Sequence, residues 1–254
     1  MERFSVDLHT HSIVSGHAYN TLFENLDYCA KNDIRVLGST EHGPSMPGAP
    51  HYYYFSNMRI LPRVVNGVIL LRGCEANIID RDGNLDIQPW LQEGLDYVIA
   101  SFHEPCIKPG NIDENTETIL KVMENPYVDI IGHSGNPAFP IHLEEFVKKA
   151  KEKNKIIELN NSSFVTSRAG SEKNCIKIAK LCKEYGVRVV ANSDAHYCGQ
   201  IGKFDAVREV LKEIAMPEEL IINTDYKEIL RYLKAKGKLP ELTILKHSVK
   251  FNKE

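Results

Sequence analysis

A chain of 254 residues, 43% hydrophobic and 26% charged, has room for one large α/β barrel or two small domains, and a single domain over residues 1–240 is expected. Lys plus Arg number 31 and Asp plus Glu 34, so the net charge of -3 gives no global field to attract nucleic acid or an anionic membrane, and any anion must be bound locally. The longest apolar runs, near residues 68–71, fall far below membrane-spanning length, and residues 1–3 carry charge without a following apolar stretch, which predicts a cytoplasmic protein. The six cysteines (Cys29, Cys74, Cys106, Cys175, Cys182, Cys198) never form Cys-x-x-Cys and read as free thiols.

In chain order, residues 4–8 form a first strand that closes on Asp7-Leu8-His9-Thr10-His11. In an extended segment alternate side chains share a face, so His9 and His11 point one way and suit one metal ion, with Asp7 placed one step back to hold a ring N–H. Residues 22–32 are predicted helical, and residues 35–39 are a second strand leading into Glu41-His42-Gly43. The stretch 44–55, rich in Pro and Gly and ending in Tyr52-Tyr53-Tyr54-Phe55, reads as a long ordered loop. A third, continuously apolar strand over 68–74 has Glu75 directly after it, and the turn chemistry of 80–83 suggests a small side ribbon. A fourth strand, 97–101, precedes His103; a helix over 115–124 leads to a fifth, 128–132, and His133. After a helix over 143–153, a sixth strand, 156–159, delivers Asn160-Asn161-Ser162-Ser163. After a helix over 173–185, the seventh strand, 187–191, opens into Asn192-Ser193-Asp194-Ala195-His196, which repeats the alternate spacing of His9 and His11. Helices over 205–215 and 226–236 complete the series, and residues 241–254 are expected to be a loosely held tail.

Seven strands, each followed mostly by a helix at roughly thirty-residue intervals, describe repeated βαβ units and a parallel sheet closing into a barrel. Chemistry in such barrels sits at the C-terminal ends of the strands. His9, His42, Glu75, His103, His133, Asn160 and Asp194 all lie within about three residues of such ends, which predicts a joint metal cluster.

The series Asp7-Leu8-His9-Thr10-His11, His17, Thr40-Glu41-His42, Glu75, His103, His133 and Asn192-Ser193-Asp194-Ala195-His196 resembles the PHP (polymerase and histidinol phosphatase) superfamily, and within it the YcdX-like phosphatases. The likeness runs from Arg3 to about Pro240. It implies a distorted (βα)7 barrel, TIM-barrel-like, with three metal ions. One ion would be held by His9, His11, Glu75 and Asp194, a second by Glu75, His103 and His133, and a third by His17, His42 and His196, with Glu75 as the bridge. Glu75 and Asp194, the carboxylates of the set, are the catalytic candidates.

Seven imidazoles and two carboxylates leave three divalent ions largely uncompensated, so such a pocket attracts a phosphate dianion. The resulting expectation is a hydrolase that cleaves small phosphomonoesters with a metal-activated water. Histidine-rich sites favour zinc over magnesium or calcium, with manganese and iron as alternatives. Arg168 is the candidate for binding a substrate oxygen, because guanidinium geometry suits phosphate. His51, His142, His247 and Glu104 fall outside the pattern, and the lysine-rich stretch 148–155 reads as a solvated face. Histidinol phosphate is an alternative substrate. A PHP-type nuclease acting on single-stranded DNA is a rival that lacks the expected basic groove. A homo-oligomer stays open.

Overall fold

The computed structural model describes residues 4–239, so His247 and the expected tail lie outside the described residues. The strands are β1 (Val6–Thr10), β2 (Val36–Ser39), β3 (Val64–Val65), β4 (Val68–Asn77), β5 (Tyr97–Ser101), β6 (Val128–Ile131), β7 (Ile156–Asn160) and β8 (Val189–Asn192). They run in the order β1-β2-β4-β5-β6-β7-β8, with all neighbours parallel, while β3 pairs antiparallel with β4. Around them pack α1 (Leu22–Lys31), α2 (Tyr52–Asn57), α3 (Pro89–Gly94), α4 (Ile112–Glu124), α5 (Leu143–Glu152), α6 (Ser162–Val165), α7 (Ser171–Tyr185), α8 (Asp205–Glu213) and α9 (Tyr226–Ala235). The result is a single, nearly closed, distorted βα barrel, as the strand count implied.

Alternation along the strands builds the barrel's two sides. Val6, Leu8, Val36, Leu71, Tyr97, Ile99, Ile130, Ile156 and Val190 form one cluster together with Ile229 and Leu233 of α9, while Ala76, Val98, Ala100, Val128, Ile157 and Ala191 pack against the helices in another. Tyr97 is wholly buried, and its hydroxyl reaches across to donate to the Leu8 carbonyl at 2.6 Å. Gly38 and Gly73 make room for that ring, since a Cβ on either would lie within 3 Å of it.

Several boundaries differ from the sequence expectations for local reasons. The third strand continues to Asn77, so Glu75 stands within a strand whose first half pairs with β2 and whose second half pairs with β5. The β3–β4 hairpin was not anticipated, although Asn66-Gly67 carries the signature of such a turn and both residues have positive φ, 51° and 80°. Helix α4 starts before residue 115 because Asn111 and Glu114 form a capping box. The Tyr52-to-Phe55 tetrad lies in α2 rather than ending a loop, with Phe55 in the core and Tyr53 exposed. Lys155 leaves the solvated lysine face: it is buried and donates to the carbonyls of Asn125 and Val128, both at 2.7 Å.

The sheet does not close through a β1–β8 ladder. A bridge at Thr10 and Ala195 joins the ends near the top, where His11 N donates to Ala195 O at 2.9 Å, and Leu8 N donates to the Asn192 side chain at 3.0 Å. Lower down, the buried Asn223 amide serves as the missing rung: its Oδ1 accepts from Ala191 N at 2.7 Å and its Nδ2 donates to Val6 O and Ala191 O at 2.9 and 2.7 Å. Asn223→Ala would strand three buried backbone groups and should cost about 2–4 kcal/mol in denaturant unfolding. An unchanged midpoint would show that the seam holds without it.

Candidate metal centre

The seven strand ends converge their polar side chains at one mouth. β1 supplies His9 and, just past its end, His11; the chain after β2 supplies His42; β4 supplies Glu75; and the segments after β5, β6 and β8 supply His103, His133, Asp194 and His196. Glu75 is the centre of the arrangement and is fully buried. Its Oε2 lies 3.2 Å from His9 Nε2, 3.5 Å from His11 Nε2 and 2.7 Å from His42 Nδ1. Its Oε1 lies 2.8 Å from His133 Nε2 and 3.3 Å from His103 Nε2. Asp194 Oδ1 faces His11 Nε2 and His9 Nε2 at 3.3 and 3.5 Å. His17 and His196 stand at the more exposed side with their Nε2 atoms 3.0 Å apart. All nine sequence candidates are thus brought together.

The fit to metal ions rests on orphaned atoms. His9 Nε2, His11 Nε2, His42 Nδ1, His103 Nε2, Glu75 Oε2 and Asp194 Oδ1 are buried without a hydrogen-bond partner, although several are close together. Short separations without hydrogen-bond geometry are what lone pairs aimed at a common point produce. Among the described residues, three groups have ligand atoms within 4.8 Å of one another: His9, His11 and Glu75; His42, Glu75 and His103; and His11, His42 and His196. His42 therefore faces Glu75 and also stacks on His17, with ring centroids 5.1 Å apart.

The far nitrogens of the rings are held by the fold, and here the sequence reading needs one correction. Asp7 does not hold His9 or His11: its carboxylate accepts from the backbone N–H groups of Ser193, Gly202 and His9, and burial pushes its pKa up to about 6. The cause is a register shift in the β1–β2 pairing between Asp7 and Thr10, which breaks the alternation that would have set Asp7 beside His9. Glu158 takes that place instead, 2.7 Å from His9 Nδ1. Ser15 Oγ lies 3.0 Å from His11 Nδ1 and donates to Glu41, while Asn77 Oδ1 lies 2.7 Å from His103 Nδ1 with its amide held by Asp86. From the sequence, Glu41 was quoted only beside His42, and Glu158, Asn77 and Asp86 were given no part in the site. The one available signal was a charged residue inside the apolar strand run Ile156-Ile157-Glu158-Leu159.

The electrostatics are those of a cation site. Burial would lower His9, but Glu75, Glu158 and Asp194 around it raise it well above the usual imidazole range. Burial also opposes ionisation of Glu75, yet His9, His103 and His42 hold it well below the usual carboxylate range. Carboxylates that keep a proton on a buried imidazole will equally favour a divalent cation that replaces it. His133, by contrast, is lowered to about 4 by burial and by the Arg168 charge. Arg168 itself donates from Nη1 and Nη2 to Asp194 Oδ2, each at 3.1 Å, leaving Asp194 Oδ1 turned to the histidines. His133, Arg168 and Asp194 all have positive φ, 25°, 52° and 55°, a conformation that costs non-glycine residues about 1–3 kcal/mol each and concentrates at functional sites.

Residues outside the pattern are accounted for elsewhere. His51 caps α2, His142 pairs with Asp113 at the surface, and Glu104 is exposed. Ser163 N donates to Asn160 Oδ1 at 3.2 Å, and the Asn160 Nδ2 donates to Asp194 Oδ2 at 3.2 Å. No helix among the described residues is long and apolar enough to cross a membrane.

A parallel βα barrel with a buried histidine and carboxylate cluster at its strand ends defines a metal-site barrel. The PHP domain model matches residues 7–242, and the chain belongs to the PHP domain family. It is 59% identical over 242 residues to a probable phosphatase of Clostridium novyi, covering 95% of this chain and 99% of the relative. It is 48% identical over 237 residues to a probable phosphatase of Caldanaerobacter subterraneus, covering 93% of each. Among solved structures, its fold is similar to that of histidinol phosphate phosphatase from Lactococcus lactis, complexed with zinc, L-histidinol and phosphate, with a TM-score of 0.59 and 15% identity over 85% of this chain and 95% of that one.

Zinc added to chelator-treated protein at about a thousand times its Kd should stabilise the fold by about 4 kcal/mol for each site filled. The check is the Tm of the stripped and reloaded protein; magnesium at the same level, lacking oxygen-rich ligation here, should shift it far less.

Proposed function

We propose that this protein is a phosphatase that hydrolyses small phosphomonoesters at a site of three divalent ions, zinc in preference to manganese or iron. The observation that carries the reading is Glu75: one buried carboxylate with His9, His11 and His42 around one oxygen and His103 and His133 around the other. A carboxylate has two oxygens to share between ions, whereas each imidazole nitrogen serves one. His9, His11, Glu75 and Asp194 would hold the first ion, Glu75, His103 and His133 the second, and His17, His42 and His196 the third. The relatives' name, probable phosphatase, at 59% identity supports the reaction class. When bound, the ions supply Lewis acidity and lower the pKa of a coordinated water towards neutrality.

The chain's own residues do the rest. The buried carboxylates fix the spacing of the site, and the histidines concentrate positive charge where a phosphate dianion would sit. Arg168 would present its remaining N–H groups to a phosphate oxygen while its Nη atoms hold Asp194. The exposed side near His17 and His196 gives the ester its entry.

A panel of phosphomonoesters, with a chromogenic ester and histidinol phosphate included and single-stranded DNA as the contrast, tests the class with metal-replete protein. Ester hydrolysis lost on chelation and restored by zinc or manganese is expected; turnover of DNA alone would make the protein a nuclease. Glu75→Gln should release the two ions on either side of it and lower kcat by orders of magnitude, while His196→Ala should release chiefly the third. Metal content per chain decides, with circular dichroism to verify folding, and a Glu75→Gln protein retaining three ions and near-normal turnover would end this assignment.

Arg168→Ala should lower kcat/KM about ten-fold or more, the scale of a charged hydrogen bond, with metal content unchanged. Loss of metal with an unaltered KM would make Arg168 a partner of Asp194 alone.

A further inference from the structure

The side chain of Glu158, on β7, has no exposure, and its carboxylate is saturated with donors. Its Oε1 lies 2.7 Å from His9 Nδ1 and accepts from Asn192 Nδ2 at 2.8 Å; its Oε2 accepts from His133 N at 2.7 Å and from Asn160 Nδ2 at 3.2 Å. The two oxygens thus divide their work. One holds the ring of His9, whose free Nε2 faces Glu75 and Asp194; the other pins the peptide of His133, which sits at φ 25°, a conformation that needs outside support. His9 and His133 stand on opposite oxygens of Glu75, so one side chain ties the geometry of both halves of the site together.

We infer that Glu158 is a positioning residue that locks His9 in the Nδ1–H tautomer and holds the His133 turn, and so sets the affinity of the site for two ions at once. This rests on the metal-centre assignment above. Neither His11 nor His103 has this device. Their far nitrogens meet a serine hydroxyl and an asparagine amide, with Glu41 and Asp86 one group further out, so their rings lack a direct charged acceptor.

The inference makes an unusual prediction for a near-isosteric change. In Glu158→Gln one oxygen becomes an NH2 group, and both sides of the carboxylate face donors. The backbone N–H of His133 cannot change, whereas the His9 ring can exchange its proton between nitrogens. The amide oxygen should therefore stay on His133 and the NH2 turn to His9. Nδ1 then becomes the acceptor and the proton moves to Nε2, the atom that must bind metal.

The test is zinc titration of the full chain, stripped of metal, against a competing chromogenic chelator. Wild type should take up its ions, and the zinc-loaded protein should show a slowly exchanging, downfield His9 Nδ1 proton by NMR. Glu158→Gln, folded by circular dichroism, should lose that resonance and bind two ions about 10- to 100-fold more weakly, while the ion on His17, His42 and His196 persists. Glu158→Asp keeps an acceptor of the right charge and should recover the resonance and part of the affinity; it also carries the test if the glutamine variant fails to fold. Wild-type zinc affinity in Glu158→Gln, or in the aspartate variant if only that one folds, would overturn this inference alone. A wild-type protein that takes up no zinc would overturn the metal-centre assignment with it.

Discussion

A charged carboxylate at the centre of a barrel is unfavourable unless everything around it is arranged to hold it, and Glu75 imposes that arrangement. It has no contact with solvent, and burial alone would protonate it. His9, His103 and His42 reverse that tendency, and the five imidazoles grouped on its two oxygens come from four strands around the rim. A buried group that needs partners from β1, β2, β5 and β6 at once cannot be accommodated by local structure. It requires the parallel strands to bring their C-terminal ends to one place, which is why the site and the barrel closure are a single problem.

The seam shows how that problem is met. Because β1 and β8 share a bridge rather than a ladder, the chain at the top of β1 is free to shift register between Asp7 and Thr10. That shift turns His9 towards Glu75 and leaves Asp7 to strap the Ser193 and Gly202 backbone, so the same irregularity aims a ligand and closes the barrel. Tyr97 on the Leu8 carbonyl and Asn192 on the Leu8 amide hold the peptide just before His9 from two sides. The opening of the sheet is therefore not a defect in an otherwise regular barrel; it is where the metal-site residues gain the freedom to converge.

What was legible in the sequence follows from periodicity and from strand ends. Continuous apolar runs such as 97–100 and 189–191 mark strands buried on both faces, and a histidine or carboxylate a few residues beyond each run marks the rim. Six of the nine ligand candidates could be named that way and His11 and His196 by their alternate spacing from His9 and Asp194, whereas His17 was named only through the resemblance to the PHP superfamily. The residues behind them could not, because Glu158, Glu41, Asn77 and Asp86 act across strands, at separations such as the 149 residues between His9 and Glu158. Alternation even suggested the wrong carboxylate, since Asp7 is two residues from His9 in sequence but lies across a register shift. Asn223 was invisible for the same reason: its three partners lie on β1 and β8, and nothing local distinguishes it from a loop asparagine. The Asn66-Gly67 hairpin is different, being a local signal that was present and passed over.

The orienting groups also suggest how one site could treat its ions unequally. His9 has a charged acceptor at 2.7 Å, while His11 and His103 reach Glu41 and Asp86 only through a hydroxyl and an amide, and His17 and His196 rely on backbone carbonyls at 3.0 Å. A direct carboxylate raises ligand basicity most, a neutral relay less and a carbonyl least. The same order runs from the buried floor to the exposed rim, where His17 is open to solvent. His9 at the floor is thus held by a direct carboxylate and wholly buried, whereas His17 and His196 at the rim are held by backbone carbonyls alone. On the proposed reading with several ions, such a gradient of support would keep an ion at the floor fixed while one at the rim adjusts.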